Sequence, residues 1–311
     1  MSQRNYALDG LKFILAVFVV FIHQKTPYTT CLLPLLKSAV PAFLMISGYC
    51  IYTTDNLEVR CVKAIKHMLK LCTWSIGFYA LLRLFLVCIG REVSFMHCSI
   101  GMVYAVFFNN DIPFAYHLWY LLAYVYVLVI VLYAFKWRKE HYLYIVVPLL
   151  FLVGFLCEKV FIDNWFFTGL PYFVTGLMLA KYRNLFSNIT PNTIIMSFLV
   201  AVALSFSLGA IVSEFNRICV ALVAFTLVCS AISIGRVYTN ETVLSEMGAK
   251  YSLLIYVFHP FCGIIITIID ETFALGIKKV PFLYLYPIVS LLMTMVLSYM
   301  IVHTGLNKIL K

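Results

Sequence analysis

A lysine and a histidine lie on one face of the first apolar segment of the chain, which runs from Asn5 to His23. Lys12 and His23 are eleven residues apart. In a helix, eleven residues make three turns plus roughly 20° and cover about 16 Å. Asp9 precedes Lys12 by three residues, so the two charges can neutralise each other within the membrane. With this spacing, Lys12 could bind an anionic group of a substrate while the His23 imidazole, about 16 Å away along the helix, removes a proton.

A simpler interpretation of the same two residues stays open. Lys12 could extend its side chain to one membrane surface, and His23 could lie at the opposite interface. Ionisable groups within an apolar span are nevertheless functional candidates, because burying them in the bilayer is costly.

The composition is that of a polytopic membrane protein. Of 311 residues, 63% are hydrophobic and 12% are charged, with a mean hydropathy of +0.97, whereas a soluble domain carries roughly 25% charged residues. These values exclude a cytosolic enzyme, a disordered tail and a secreted disulfide scaffold. The net charge of +10 is attributed to basic residues at helix ends rather than to a nucleic-acid surface. Neither a Cys-x-x-C pair nor a Cys/His spacing typical of a metal site occurs among the ten cysteines, which we interpret as packing residues.

Charge-free runs predict the membrane spans, because about 20 apolar residues cross the hydrocarbon. The apolar segments 7–24 and 68–90 contain charges but are long enough to span. Alternation with a period of two, typical of membrane strands, is not seen. The sequence therefore predicts an all-α protein of about ten transmembrane helices. The charge-free runs are 38–54, 112–135, 141–157, 164–180, 184–213, 218–235, 251–269 and 280–307.

The distribution of basic residues predicts the topology. With ten spans and a cytoplasmic N-terminus, 14 basic residues lie inside and 6 outside, whereas a full span at 93–110 would give 9 against 11. The excess of basic residues on the cytoplasmic side favours ten spans with both termini cytoplasmic. Segment 93–110 is then expected to be interfacial or re-entrant. Its polar residues are Ser94, His97, Ser99, Asn109 and Asn110.

The motifs of the chain resemble a known family. The stretch Leu8-Asp9-Gly10-Leu11-Lys12-Phe13, followed after ten residues by His23, is similar to the opening motif of the membrane acyltransferase 3 family, although that family usually has arginine where Lys12 stands. Its Arg-x-x-Arg motif is replaced here by Arg60-x-x-Lys63-x-x-Lys66. Four further stretches resemble family motifs in the expected order: Phe43–Ile51 (FLMISGYCI), His117–Leu121 (HLWYL), Gly169–Gly176 (GLPYFVTG) and Tyr251–Pro260 (YSLLIYVFHP).

The resemblance implies transfer of an acyl group, usually acetyl, from cytoplasmic acetyl-CoA to a hydroxyl of a carbohydrate or lipid-linked glycan. It implies one transmembrane domain over 1–311 without an appended soluble domain, in the bacterial inner membrane, and no metal. Catalytic roles are expected for His23, as general base, and Asp9; direct acylation of His23 is a second route. The residues expected to hold the donor phosphates are cationic: Lys12, Arg60, Lys63 and Lys66.

Four other positions are candidates for binding the acceptor, each with a structural alternative. Ser47, beside Gly48, could instead form a small-residue helix contact. His117 and Trp119 begin a span, where such residues are ordinary at a membrane interface. His259 precedes a proline in an apolar run and could line a cavity or be a satisfied core histidine.

A secondary transporter or flippase of a small polar solute is the alternative function. Charged residues and proline-broken helices inside a ten-span bundle are typical of transporters too. No inverted internal repeat is visible, and the arrangement of Lys12 and His23 resembles a transfer motif, so the sequence favours the acyltransferase.

Overall fold

The computed structural model describes all but a few short segments of the chain. The excluded residues are 1–3, 25, 27–28, 30–31, 53–55, 92–99, 111, 113–114, 157–163, 185–188, 212–215, 278, 280–281 and 307–311. Twelve α-helices are found in the remainder: α1 (Tyr6–His23), α2 (Leu33–Lys37), α3 (Ala39–Tyr52), α4 (Leu57–Cys88), α5 (Ile100–Tyr104), α6 (Trp119–Lys136), α7 (Glu140–Leu156), α8 (Leu170–Lys181), α9 (Pro191–Ile211), α10 (Asn216–Val237), α11 (Val243–Phe273) and α12 (Tyr286–His303).

The predicted all-α membrane class is confirmed, since no residue in the described ranges belongs to a β-strand. Shorter apolar stretches occur at Glu140–Leu156 (α7) and Pro191–Ser207 (within α9), and the twelve-residue α8 lies in another predicted span, 164–180. Seven helical stretches of the described chain are long and apolar enough to cross a membrane: Tyr6–His23, Leu33–Tyr52, Leu57–Cys88, Tyr116–Lys136, Arg217–Val237, Val243–Phe273 and Tyr286–His303.

Helix α4 differs from its prediction because it begins at Leu57, well before residue 68. At 1.5 Å per residue its 32 residues extend about 48 Å, while the hydrocarbon is about 30 Å thick. The basic residues after the second apolar segment therefore lie on a helix rather than in a loop. Charge-free runs measure only the part of a helix inside the bilayer, and lysine and arginine are good helix formers outside it.

The described part of segment 93–110 is too short to span. Helix α5 continues into a π-helical turn, Ala105–Asn109, and ends at Asn110 in the left-handed conformation (φ 61°). Residues 100–109 rise only about 15 Å. The re-entrant or interfacial placement of the whole segment stays a prediction. Asn110 Oδ1 accepts a hydrogen bond from the backbone N–H of Trp165 at 2.8 Å. The predicted polar residues Ser94, His97 and Ser99 lie outside the described residues.

The chain forms two compact units. The first comprises Met1–Ile46 and Tyr182–Leu306, and the second comprises Ser47–Lys181 and Asn307–Lys311. The first unit contains α1 and α9 to α12, and the second contains α4 to α8. The expectation of one domain over 1–311 stays a prediction.

Helices α1 and α11 of the first unit lie side by side and run in the same direction. A Cβ atom on Gly248 would overlap the carbonyl oxygen of Asp9 and lie 3.1 Å from the backbone nitrogen of Phe13. Only glycine therefore lets the two backbones approach this closely. Farther along, Ala16, Val20 and Ile255 form a wholly buried cluster.

The first turn of α1 is held by Asn5. Its Oδ1 accepts from the N–H of Leu8 at 3.0 Å, which caps the helix, and its Nδ2 donates to the carbonyl of Ile232 on α10 at 3.4 Å. Gly235 leaves space for this side chain, because a Cβ there would overlap the Asn5 amide. The start of α1 is thus fixed against both α10 and α11.

In the second unit, α3 and α8 make a similar close contact. A Cβ on Gly48 would overlap the carbonyl oxygen of Phe173 and lie 3.1 Å from the backbone nitrogen of Leu177. The small-residue alternative for Ser47-Gly48 is therefore realised at Gly48.

We predict that Gly248→Ala destabilises the protein by about 1–3 kcal/mol, because the new methyl group must push α1 away from α11. Gly77→Ala in α4 is the matched control. Nothing lies within 4 Å of a Cβ at Gly77, so alanine should gain only its better helix propensity, about 1 kcal/mol. Thermal unfolding in detergent, followed by the folded fraction on size exclusion, compares the two. A Gly248→Ala protein as stable as Gly77→Ala would contradict the packing.

Candidate active site

A cluster of charges surrounds Asp9 near the start of α1. Asp9 Oδ2 accepts from Arg4 Nε at 2.7 Å, and Oδ1 accepts from Lys12 Nζ at 2.9 Å. The Asp9 side chain is 10% exposed, and that of Lys12 is 29% exposed. The ion pair expected from the spacing of Asp9 and Lys12 is therefore present. The hydrogen bond to Asp9 raises the pKa of Arg4, which stays charged.

Asp9 lies 14 residues before His23 on the same helix, which separates the two by about 21 Å along the axis. It therefore does not orient the imidazole. Its predicted catalytic role stays a prediction.

Other basic residues of the first unit gather at the same end. Arg4 Nη1 lies 4.0 Å from Glu241 Oε1, just before α11 begins. Arg236, in the last turn of α10, donates from Nη2 to the carbonyl of Arg183 at 3.0 Å. Arg4, Arg183 and Arg236 thus lie near the start of α1 in this unit.

The predicted donor-binding residues of the second unit lie on the first turns of α4. Arg60, Lys63 and Lys66 are exposed, and their three-residue spacing puts successive side chains within one side of the helix. Arg60 Nη1 donates to the carbonyl of Cys50 at 3.0 Å. Their role as ligands of donor phosphates stays a prediction.

His23 occupies the last turn of α1 and has one ring nitrogen engaged. Its Nδ1 lies 2.9 Å from the carbonyl oxygen of Val19. Because a carbonyl can only accept, Nδ1 carries the proton, and in the neutral ring Nε2 keeps its lone pair. The side chain is exposed. His23 is thus held in the tautomer in which Nε2 can accept a proton, as a general base must.

His259 of α11 contacts His23. The two rings have centroids 4.8 Å apart and meet edge to face at 61°. His259 is wholly buried, and its Nδ1 lies 2.8 Å from the carbonyl oxygen of Tyr256. The structure therefore joins two predicted site residues that are 236 positions apart in the sequence.

A buried polar cluster beside this pair was missed by sequence reasoning. Gln24 Nε2 donates to Ser290 Oγ at 3.4 Å, and Tyr286 Oη donates to the carbonyl of Gly263 at 3.3 Å. Gln24, Tyr286 and Ser290 are each at most 7% exposed. Two sequence signals could have indicated them: Gln24 follows His23 directly, and hydroxyl residues recur every fourth position in α12. These uncharged groups can hydrogen bond a hydroxyl-bearing molecule.

The remaining predicted residues lie in the second unit. Ser47 hydrogen bonds with the buried Tyr120 and Tyr124, whose rings stack 6.1 Å apart. His117 packs edge to face on Tyr79 at 4.8 Å. Trp119 begins α6 and is half-buried. Acceptor binding by Ser47, His117 and Trp119 stays a prediction.

Among the residues that the structure describes, no group of three or more His, Cys, Asp or Glu side chains could hold a metal ion. Four of the cysteines described there are buried as free thiols: Cys61, Cys72, Cys219 and Cys262.

Comparison with known proteins extends the match over nearly the whole chain. Curated proteins and solved structures gave no match. A family model described as an acyltransferase domain matches residues 5–303, which include α1 with Lys12 and His23 and α11 with His259. This match favours an acyltransferase over a transporter. The chain belongs to the acyltransferase 3 family and is an integral-membrane acyltransferase.

Proposed function

We propose that the protein transfers an acetyl group from acetyl-CoA to a hydroxyl of a carbohydrate or lipid-linked glycan, with His23 as the general base. The observation that carries this proposal is the hydrogen bond from His23 Nδ1 to the Val19 carbonyl, because it leaves Nε2 as the basic nitrogen. The family membership supports acyl transfer in general.

The proton and the acyl group move in one balanced sequence. Nε2 of His23 takes the proton of the acceptor hydroxyl as its oxygen attacks the thioester carbonyl, and a carbon–oxygen bond forms while the carbon–sulfur bond breaks. The departing thiolate takes the proton from the imidazolium and leaves as the free thiol. General-base assistance of this kind contributes about 10² to 10⁴ in rate.

The donor would lie along α1, with its phosphates near Lys12. Lys12 and His23 are about 16 Å apart on one helix face, a length of the order of an extended pantetheine arm. Lys12 keeps part of its surface exposed although Asp9 accepts one of its hydrogen bonds. An ammonium group has three donors, so two stay available for phosphate oxygens. In this proposal the protein lies in a bacterial inner membrane, with the Lys12 end of α1 and both termini on the cytoplasmic side.

The acceptor would meet uncharged polar groups. Gln24, Tyr286 and Ser290 lie in the part of the unit that carries the histidine pair. Hydroxyl and amide groups suit a sugar, whose hydroxyls both donate and accept. An ionic acceptor would find no matching charge among these three side chains.

We expect His23→Ala to lower acetyl transfer by about 10² to 10⁴-fold while expression and insertion are unchanged. Transfer of labelled acetyl from acetyl-CoA to membrane glycans measures it. The matched control is His303→Ala, because His303 also ends a helix and bonds through Nδ1 to the carbonyl four residues earlier, at 2.9 Å. His303→Ala should keep full activity. More than about a tenth of wild-type activity in His23→Ala would exclude the general-base role.

We expect Lys12→Ala to weaken acetyl-CoA binding, and Lys12→Arg to keep most of it because the charge is retained. Arg4 still neutralises Asp9 in the alanine variant, so that variant should fold. Calorimetry on purified protein measures the affinity. Lys250→Ala is the control, since Lys250 is likewise paired with a carboxylate of its own helix, Glu246.

If Lys12 only anchors α1 at the membrane surface, Lys12→Ala would lower the yield of protein. The affinity of correctly folded molecules for acetyl-CoA would then equal that of the wild type and of Lys250→Ala. That result would remove Lys12 from the donor site.

A further inference from the structure

We infer that His259 is a positioning residue for His23: its ring, fixed by Pro260, holds the catalytic imidazole in place and stabilises the imidazolium formed during transfer. This inference rests on the proposed function. His259 lies on α11, and the base that it positions, His23, lies on α1.

Pro260 determines how the His259 ring is held. In an uninterrupted helix the N–H of residue 260 would donate to the carbonyl of Tyr256, but proline has no N–H. His259 Nδ1 lies 2.8 Å from that carbonyl oxygen and donates to it instead. In a water-free interior an unmet carbonyl costs about 1–3 kcal/mol. The adjacent proline thus creates the acceptor that fixes the orientation and tautomer of the histidine.

The His259 ring, fixed in this way, packs against the ring of His23. With 4.8 Å between centroids and an angle of 61°, one imidazole edge points toward the other ring. The rest of the His259 ring is enclosed, because the side chain is wholly buried and Tyr256 lies 6.3 Å away, centroid to centroid. His259 therefore has little freedom to turn away from His23.

The packing of α1 on α11 sets the register of this pair. Gly248 admits the backbone of Asp9, and Ala16, Val20 and Ile255 close the space between the helices toward the histidines. Parallel helices rise equally per residue. Contacts near the start of both helices therefore bring His23 and His259 to the same level.

The contact has a consequence for the reaction. When Nε2 of His23 takes the acceptor's proton, a cation forms beside the His259 ring. An aromatic ring attracts a cation that lies within about 6 Å of its centroid, and the effect grows when water is excluded. The centroid of the His259 ring lies 4.8 Å from that of His23, within this distance. Burial disfavours a charge on His259 itself, so the proton stays on His23 until the thiolate sulfur takes it.

The test compares His259→Phe, which keeps an aromatic ring, with His259→Ala, which removes it. We expect His259→Ala to lower kcat about 10-fold without changing acetyl-CoA affinity by calorimetry. His259→Phe should recover most of that loss. His303→Phe and His303→Ala are the matched controls and should both keep wild-type kcat. Equal loss of kcat in the two His259 variants, or unchanged kcat in His259→Ala, would overturn the inference.

A readout independent of activity separates this inference from the proposed function. Nitrogen NMR of histidine-labelled protein, with His23 assigned by its loss in His23→Gln, reports the tautomer of the ring. The wild type should show His23 protonated at Nδ1, and His259→Ala should shift and broaden the His23 ring-nitrogen signals as the ring gains rotational freedom. An unaltered His23 signal in His259→Ala would refute positioning even if transfer activity is never detected. A protein inactive in transfer whose His23 signal changes as expected would refute the proposed function alone.

Discussion

The close approach of α1 to α11 is the contact on which the rest of the site depends. It exists because Gly248 has no side chain and admits the backbone of Asp9. Helix α1 carries a cation near its start and a histidine at its end, and α11 carries the second histidine. A change in the register of the two helices would alter the contacts of Asp9 near the start of α1 and of His23 at its end. The capping of α1 by Asn5, which also reaches α10, fixes the same register from another side.

Buried hydroxyl and imidazole groups of the first unit form hydrogen bonds with the backbone of their own helices. Thr294 and Ser298 are wholly buried and donate to the carbonyls four residues earlier, at 2.6 and 2.8 Å. The two paired histidines use Nδ1 in a similar way. Such bonds cost the helix little and orient each side chain. They leave Nε2 of His23 as a basic atom directed away from its own helix, which is the property that acid–base chemistry needs.

Helical periodicity was sufficient to predict the features that belong to one segment. The shared face of Lys12 and His23, the Asp9–Lys12 pair and the positions of the apolar helices all follow from local spacing. The length of α4 could not be predicted in this way. Charge-free runs mark only the part of a helix inside the hydrocarbon, and the exposed basic turns of α4 lie outside it. The pairing of His23 with His259 could not be predicted from spacing, since it depends on which helices pack together. The spacing of hydroxyl residues in α12 indicates Tyr286 and Ser290 as candidates, but their contact with Gln24 also depends on helix packing.

The central claim is that the reactive carbon of a donor bound along α1 reaches Nε2 of His23. Bromoacetyl-CoA tests it directly, because a nearby nucleophilic nitrogen displaces bromide and forms a stable carbon–nitrogen bond. Peptide mass spectrometry of the labelled protein then locates the bond. We predict labelling of His23 that excess acetyl-CoA prevents, whereas His303 and the exposed Cys88 react, if at all, independently of acetyl-CoA. Labelling that acetyl-CoA prevents at another residue, with His23 unmodified, would contradict the account.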